Sequence, residues 1–101
     1  MSDTAQNTPG GDAPDLETWR KRLKFRAWHR GTQEADLIIG SYFDTFGWDF
    51  DGEACAVFEA LLEETDQDIL NWLTGKEVAP AHVDSDLIAR MARLDYLPVK
   101  K

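Results

Sequence analysis

Residues 51–62, Asp-Gly-Glu-Ala-Cys-Ala-Val-Phe-Glu-Ala-Leu-Leu, decide the fold class. Ala54, Val57, Phe58, Leu61 and Leu62 recur at i, i+3, i+4, i+7 and i+8, the stripe of an amphipathic α-helix. Asp51 stands before the stripe as an N-cap, its carboxylate placed to accept from an otherwise orphaned N–H. Downstream, Thr65 and Asp68 form a capping-box pattern with Asp in place of the usual Glu. They open a short helix carrying Ile69, Leu70, Trp72 and Leu73, which stops at Gly75. Pro80 marks a loop. Asp84 or Ser85 opens a last helix with Leu87, Ile88, Met91 and Leu94 inward, ended by Pro98.

Upstream, Asp15 caps a first helix running from about Leu16 to His29, with Glu17 in its first turn. Trp19, Leu23, Ala27 and Arg30 share one face of it, while Phe25 and Trp28 point elsewhere. Either this helix is buried between neighbours or one aromatic waits for a partner. Gly31 breaks the pattern and suits a left-handed turn. Thr32 then caps a second helix that extends to about Phe46. Leu37, Ile38, Ser41, Tyr42 and Thr45 form its stripe, with Phe43 and Phe46 beside it. Gly40 lies inside this helix at a cost of about 1 kcal/mol relative to Ala, which points to a close approach at that position. Gly47 is a natural stop.

No run alternates apolar and polar residues over a useful length, and hairpin dipeptides between strands are absent. The expected fold is therefore all-α, a compact bundle of about five short helices over residues 16–97. Residues 1–15 are polar and rich in Gly and Pro, and read as a disordered N-terminal tail; residues 98–101 form a C-terminal tail.

At 101 residues with 43% hydrophobic content, one small core can form. Charged residues make up 30%, enough to solvate its surface. No apolar stretch approaches the roughly 20 residues that span a bilayer. Residues 1–14 contain two Asp, no Lys or Arg and no apolar run, which is not the pattern of a signal or transit peptide. A single cysteine, Cys55, cannot staple the chain. A cytoplasmic bacterial protein is the expectation. The net charge of −8 is uneven: Arg20, Lys21, Arg22, Lys24, Arg26 and Arg30 give residues 20–30 a charge of +6, leaving −14 elsewhere.

A search for chemistry returns little. His29 and His82 are far apart and have no ligand-spaced Cys or His beside them. Asp49-Phe50-Asp51-Gly52-Glu53 resembles the start of a calcium loop, but its Gly falls at the fourth position instead of the sixth. Cys55 has no local cation to activate it, and no serine or glycine-rich phosphate motif is present. The acids Glu59, Glu63, Glu64, Asp66 and Asp68 read as a solvated face and helix-start charge. No metal, cofactor or catalytic group is expected in this chain. The basic run admits three readings: nucleic-acid contact, which the acidic remainder opposes, a solvated helix face, or a face that docks a protein.

The most unusual local feature is His29-Arg30-Gly31-Thr32-Gln33-Glu34-Ala35-Asp36. A cation ends one helix, a glycine turns, and two acids open the next. Helix-end electrostatics alone account for that order. The same order also predicts a guanidinium and a carboxylate on one exposed corner, able to make two-sided charge-assisted hydrogen bonds to a partner.

Arg30-Gly31-x-x-Glu34-x-Asp36 resembles the RGxxE signature of the SdhE family, called succinate dehydrogenase assembly factor 2 in eukaryotes. Leu37-Ile38-Ile39-Gly40-x-Tyr42-Phe43 resembles the apolar run just after the signature in that family. Phe58-x-x-Leu61-Leu62-x-x-x-Asp66-x-Asp68-Ile69-x-x-Trp72-Leu73-x-Gly75 resembles the family's second half. The likeness covers about residues 19–97. Two positions depart: Ala35 stands where Leu is frequent and His29 where a second Arg is common.

The resemblance implies an all-helical FAD assembly factor that binds the flavoprotein subunit of succinate dehydrogenase, with fumarate reductase as a second client. It promotes covalent FAD attachment to a histidine of that subunit, and FAD belongs to the partner. It implies a contact surface at Arg30, Gly31 and Glu34, with Asp36 supporting; Thr32 is added from its place in the turn. It implies no catalytic residue, no nucleic acid and no membrane insertion. A generic acidic helical interaction module or regulator is the alternative.

Overall fold

The computed structural model describes residues 15–97. Apart from Asp15, the two tails lie outside these residues, as does Pro98. Five α-helices succeed one another: α1 (Leu16–Trp28), α2 (Gln33–Phe46), α3 (Gly52–Leu62), α4 (Asp66–Leu73) and α5 (Ser85–Ala92). A 3-10 turn, Gly47–Asp49, joins α2 to the loop before α3. None of the described helices is long and apolar enough to cross a membrane.

Each helix starts for the same local reason. Asp15, Thr32, Asp51, Thr65 and Asp84 sit in extended backbone, and the side-chain oxygen of each accepts from the N–H three residues on, at 2.8–3.2 Å. Such a cap contributes about 1 kcal/mol. All five were legible as helix starts in the sequence. Gly75, with φ +79°, turns the chain just past α4, and Gly31 does so between α1 and α2 with φ +117°.

The core is built around aromatic rings. Phe58 of α3 lies 5.7 Å from Phe43 of α2 and 5.5 Å from Phe50, centroid to centroid, and Phe43 meets Phe50 edge-on at 5.8 Å. Leu23 and Ala27 of α1, Ile69 and Trp72 of α4, and Leu87, Ile88 and Met91 of α5 close around them. Such offset and edge-to-face rings add to the burial of their own area.

Two expectations are corrected. In α2 the buried residues are Ala35, Ile39, Gly40, Ser41, Tyr42 and Phe43, so Ser41 and Tyr42 of the expected stripe lie inside, while Leu37 and Ile38 are half-buried and Thr45 is exposed. Ala35, Ile38, Ile39, Tyr42, Phe43 and Phe46 share one arc of the helix with Asp44 opposite, so the expected stripe lies to one side of the apolar face. The ring cluster captures Tyr42 and Phe43 of that arc. In α5 the helix stops at Ala92, and Leu94 is 41% exposed with φ +58° instead of pointing inward. The left-handed residue reverses the chain so that the Tyr96 ring packs edge-on against Tyr42 at 5.2 Å. Its hydroxyl donates to the Met91 carbonyl at 2.9 Å, satisfying a helix-end acceptor.

Gly40 has the close neighbour that its position suggested. A Cβ there would overlap the indole of Trp28, which lies across α2 and donates from Nε1 to Asp44 at 3.3 Å. Gly40→Ala is therefore expected to lower stability by about 1–3 kcal/mol in urea denaturation, where an unhindered Gly→Ala exchange would raise it by about 1 kcal/mol.

Candidate functional site

The corner between α1 and α2 is fixed from inside. His29 ends α1, its N–H donating to the Arg26 carbonyl at 3.3 Å. Gly31 then adopts φ +117°, a region that L side chains rarely enter. Thr32 caps α2 through its hydroxyl, and the Asp36 carboxylate reaches back from the first turn to accept from the Arg30 N–H at 2.6 Å. Asp36 thus closes the turn around Gly31.

The Arg30 side chain does something the sequence does not display. Its Nε donates to Asp66 Oδ1 at 2.9 Å, Nη1 to the Leu62 carbonyl at 2.8 Å and Nη2 to the Glu64 carbonyl at 2.8 Å. Leu62 ends α3 and Asp66 opens α4, so one guanidinium meets the negative end of one helix and the first-turn acid of the next. The side chains of Arg30 and Asp66 are only 10% and 18% exposed. The sequence predicted a guanidinium presented on an exposed corner. The structure turns it inward, where it joins the α1–α2 corner to the α3–α4 corner.

The other predicted site residues remain outside. Gly31, Thr32, Gln33 and Glu34 are exposed in a row, and the Glu34 carboxylate has no side-chain partner among the described residues. A Cβ at Gly31 would sit 3.8 Å from Asp66 Oδ2, beside the Arg30 ion pair. Ala35 is fully buried in the core.

The basic run is mostly consumed internally. Arg20 donates from Nε to the Phe50 carbonyl at 2.9 Å, Lys24 pairs with Asp44 at 2.7 Å, and Arg26 pairs with Glu63 at 2.7 Å and Glu59 at 3.6 Å. Lys21 lies 3.5 Å from Glu17 on its own helix. Arg22 alone of the six has no ion pair or side-chain hydrogen bond among the described residues. What stands out on the free side of α1 is instead an aromatic, Phe25, stacked on the His29 ring at 4.0 Å.

Cys55 is fully buried, and burial pushes its thiol above the usual range, which keeps it protonated and unreactive. Among the described residues no group of three or more His, Cys, Asp or Glu is arranged to hold a metal ion. The glycine turn at Gly31 opens onto the N-terminus of α2, but Glu34 and Asp36 in that first turn oppose a pyrophosphate there.

Residues 21–95 match the family described as flavinator of succinate dehydrogenase. The chain belongs to that family. It is 34% identical over 91 residues to the FAD assembly factor SdhE of Acetobacter pasteurianus, covering 89% of this chain and 84% of that protein. It is 36% identical over 81 residues to the mitochondrial succinate dehydrogenase assembly factor 2 of Schizosaccharomyces japonicus, covering 80% of this chain and 56% of the relative. With the assembly factor 2-A of Drosophila mojavensis the figures are 32% over 75 residues, 72% and 48%. The chain thus spans about half the length of these mitochondrial relatives and most of the bacterial one.

In this member of the flavinator family the inner half of the signature is structural, and that is measurable. Arg30→Ala strands Asp66 and two carbonyls, and is expected to cost about 3 kcal/mol in chemical denaturation. Combined with Asp66→Ala it should be clearly non-additive, the double variant losing much less than the two single losses together.

Proposed function

We propose that this chain is a non-catalytic assembly factor that binds the flavoprotein subunit of succinate dehydrogenase and promotes covalent attachment of FAD. Membership of the flavinator family carries the reading. The bacterial relative matched over most of its length bears the name FAD assembly factor. The site fits it: an exposed, internally braced corner with no nucleophile, metal cluster or phosphate cradle of its own among the described residues. Fumarate reductase is a second client of the same kind, and the bacterial cytoplasm is the place of action.

In this reading Gly31, Thr32 and Glu34 meet the flavoprotein, while Arg30 and Asp36 hold them in position. FAD stays with the flavoprotein, whose own groups form the covalent bond. The assembly factor contributes a binding preference. A ligand shifts a conformational equilibrium only as far as it binds one state better than the other, so the corner must favour the conformation in which the flavin and its target histidine are aligned. A corner held by Asp36 and Arg30 before binding loses little freedom on docking, and more of its interaction energy is left for that preference.

In-gel flavin fluorescence of denatured flavoprotein, produced with and without this chain, tests the proposal. Covalent flavin should rise when the chain is present. Equal signals with a folded client and ample FAD would refute it and leave a general interaction module. Gly31→Arg is expected to abolish the gain and, because of the positive φ, to lower thermal stability as well. Glu34→Ala should retain the wild-type circular-dichroism spectrum and melting temperature while weakening the fluorescence gain.

A further inference from the structure

The geometry points to a second element of the docking surface: the outer face of α1, with the stacked Phe25–His29 pair as an apolar anchor for a carboxylate-rimmed apolar depression on the flavoprotein subunit. This rests on the proposed function and adds to it the chemistry of the partner's surface.

Phe25 is 63% exposed, although 15 hydrophobic residues of this small domain are buried. Its ring lies 4.0 Å from that of His29 with an interplanar angle of 17°, and the His29 Nδ1 lies 2.6 Å from the Phe25 carbonyl. Two rings held on one another are already ordered before a partner arrives. That is the property of an interface anchor, since little side-chain freedom remains to be lost. Trp28 closes the other side of a shallow apolar hollow at Phe25, and its indole is fixed by Gly40 and Asp44. Among the described residues the core closes without Phe25.

Two features select the occupant. The first is continuity. His29 is the cap residue between Phe25 and the Arg30–Gly31 turn, so the aromatic face runs directly into the exposed row Gly31, Thr32, Gln33, Glu34. A partner seated on that row reaches Phe25 without crossing intervening structure. The second is charge. Four of the six cations of residues 20–30 are tied to acids or carbonyls on other elements. One turn back from Phe25, Arg22 has no ion pair among the described residues, and the largely exposed Lys21 pairs only with Glu17 of its own helix. An apolar anchor with a small cationic rim fits a surface that is apolar at its centre and acidic at its edge.

The test is equilibrium and kinetic binding of purified flavoprotein subunit, carrying non-covalent FAD, to wild-type chain, Phe25→Ala and Arg22→Ala. Phe25→Ala is expected to weaken binding at least tenfold, chiefly through faster dissociation, as truncation of an aromatic hot spot does. Its thermal midpoint should stay at the wild-type value, because the ring is mostly in water. Arg22→Ala should slow association about two- to threefold and leave dissociation unchanged. Phe25→Ala binding within twofold of wild type would overturn the inference and leave the assembly-factor reading standing. A concentration-dependent wild-type dimer that Phe25→Ala dissociates, with flavoprotein affinity unchanged, would overturn it in favour of a second copy as occupant. Absence of wild-type binding to the flavoprotein would overturn both.

Discussion

The guanidinium of Arg30 ties the α1–α2 corner to the α3–α4 corner, beside the aromatic core that packs the helices together. α1 and α2 form a helical hairpin, α3 passes into α4 at a second corner, and each turn needs its polar groups satisfied. Arg30 serves both. Its planar fork reaches a carboxylate and two carbonyls in divergent directions, which a lysine ammonium on a flexible stem cannot reproduce with the same order. Because the pair is mostly shielded from water, its worth does not lie in favourable Coulomb energy alone. Taking two charges out of water is costly, and the hydrogen bonds to Leu62 and Glu64 are what make that cost tolerable. The consequence is geometric: the exposed surface at Gly31 inherits its shape from the α3–α4 corner behind it.

The same logic governs the rest of the charge. An acidic chain with a block of six cations is at risk of misplaced long-range attraction. Here most of the block is held at short range by the Phe50 carbonyl and by the carboxylates of Asp44, Glu59, Glu63 and Asp66. Pairs such as Lys24–Asp44 are exposed and contribute little stability one by one. Together they fix the rotation of α1 about its axis. That rotation determines which aromatic is buried and which is left outside: Trp19 donates to Glu59 and packs on the core, while Phe25 faces out.

The range of each interaction decides how far the molecule was legible in its sequence. Helix starts were legible because a cap acts over three residues, and Asp15, Thr32, Asp51, Thr65 and Asp84 all carry the required oxygen at the required place. The stripe of α3 was legible because its polar and apolar faces differ. The face of α2 was legible only off-centre, because the stripe through Leu37, Ser41 and Thr45 borders the apolar arc of Ile39, Tyr42 and Phe43 and shares Tyr42 with it. The turn at Leu94 was hidden for a different reason: no propensity favours a leucine at positive φ, and only the packing of Tyr96 makes it worth adopting. At the site, Gly31 and Thr32 could be placed from local rules. The partners of Arg30 lie more than thirty positions away, and Asp66 could be read only as helix-start charge.

The proposed binding surface sets a left-handed glycine turn beside an ion pair. Gly31 is tolerated at φ +117° because it lacks a Cβ, and Asp36 and Arg30 together leave the turn no alternative conformation. Substitution at Gly31 therefore acts on two quantities at once, the stability of the corner and the space available to a partner. Substitution at exposed Glu34 acts mainly on the second, with a small loss of helix-end electrostatics on the first. The two residues belong to one sequence motif, yet they report on different terms in the free energy of docking. Comparing them separates a corner that works by being rigid from one that works by the groups it presents. Under the proposed function, rigidity sets how sharply two client conformations are distinguished, and the exposed side chains set which one is favoured.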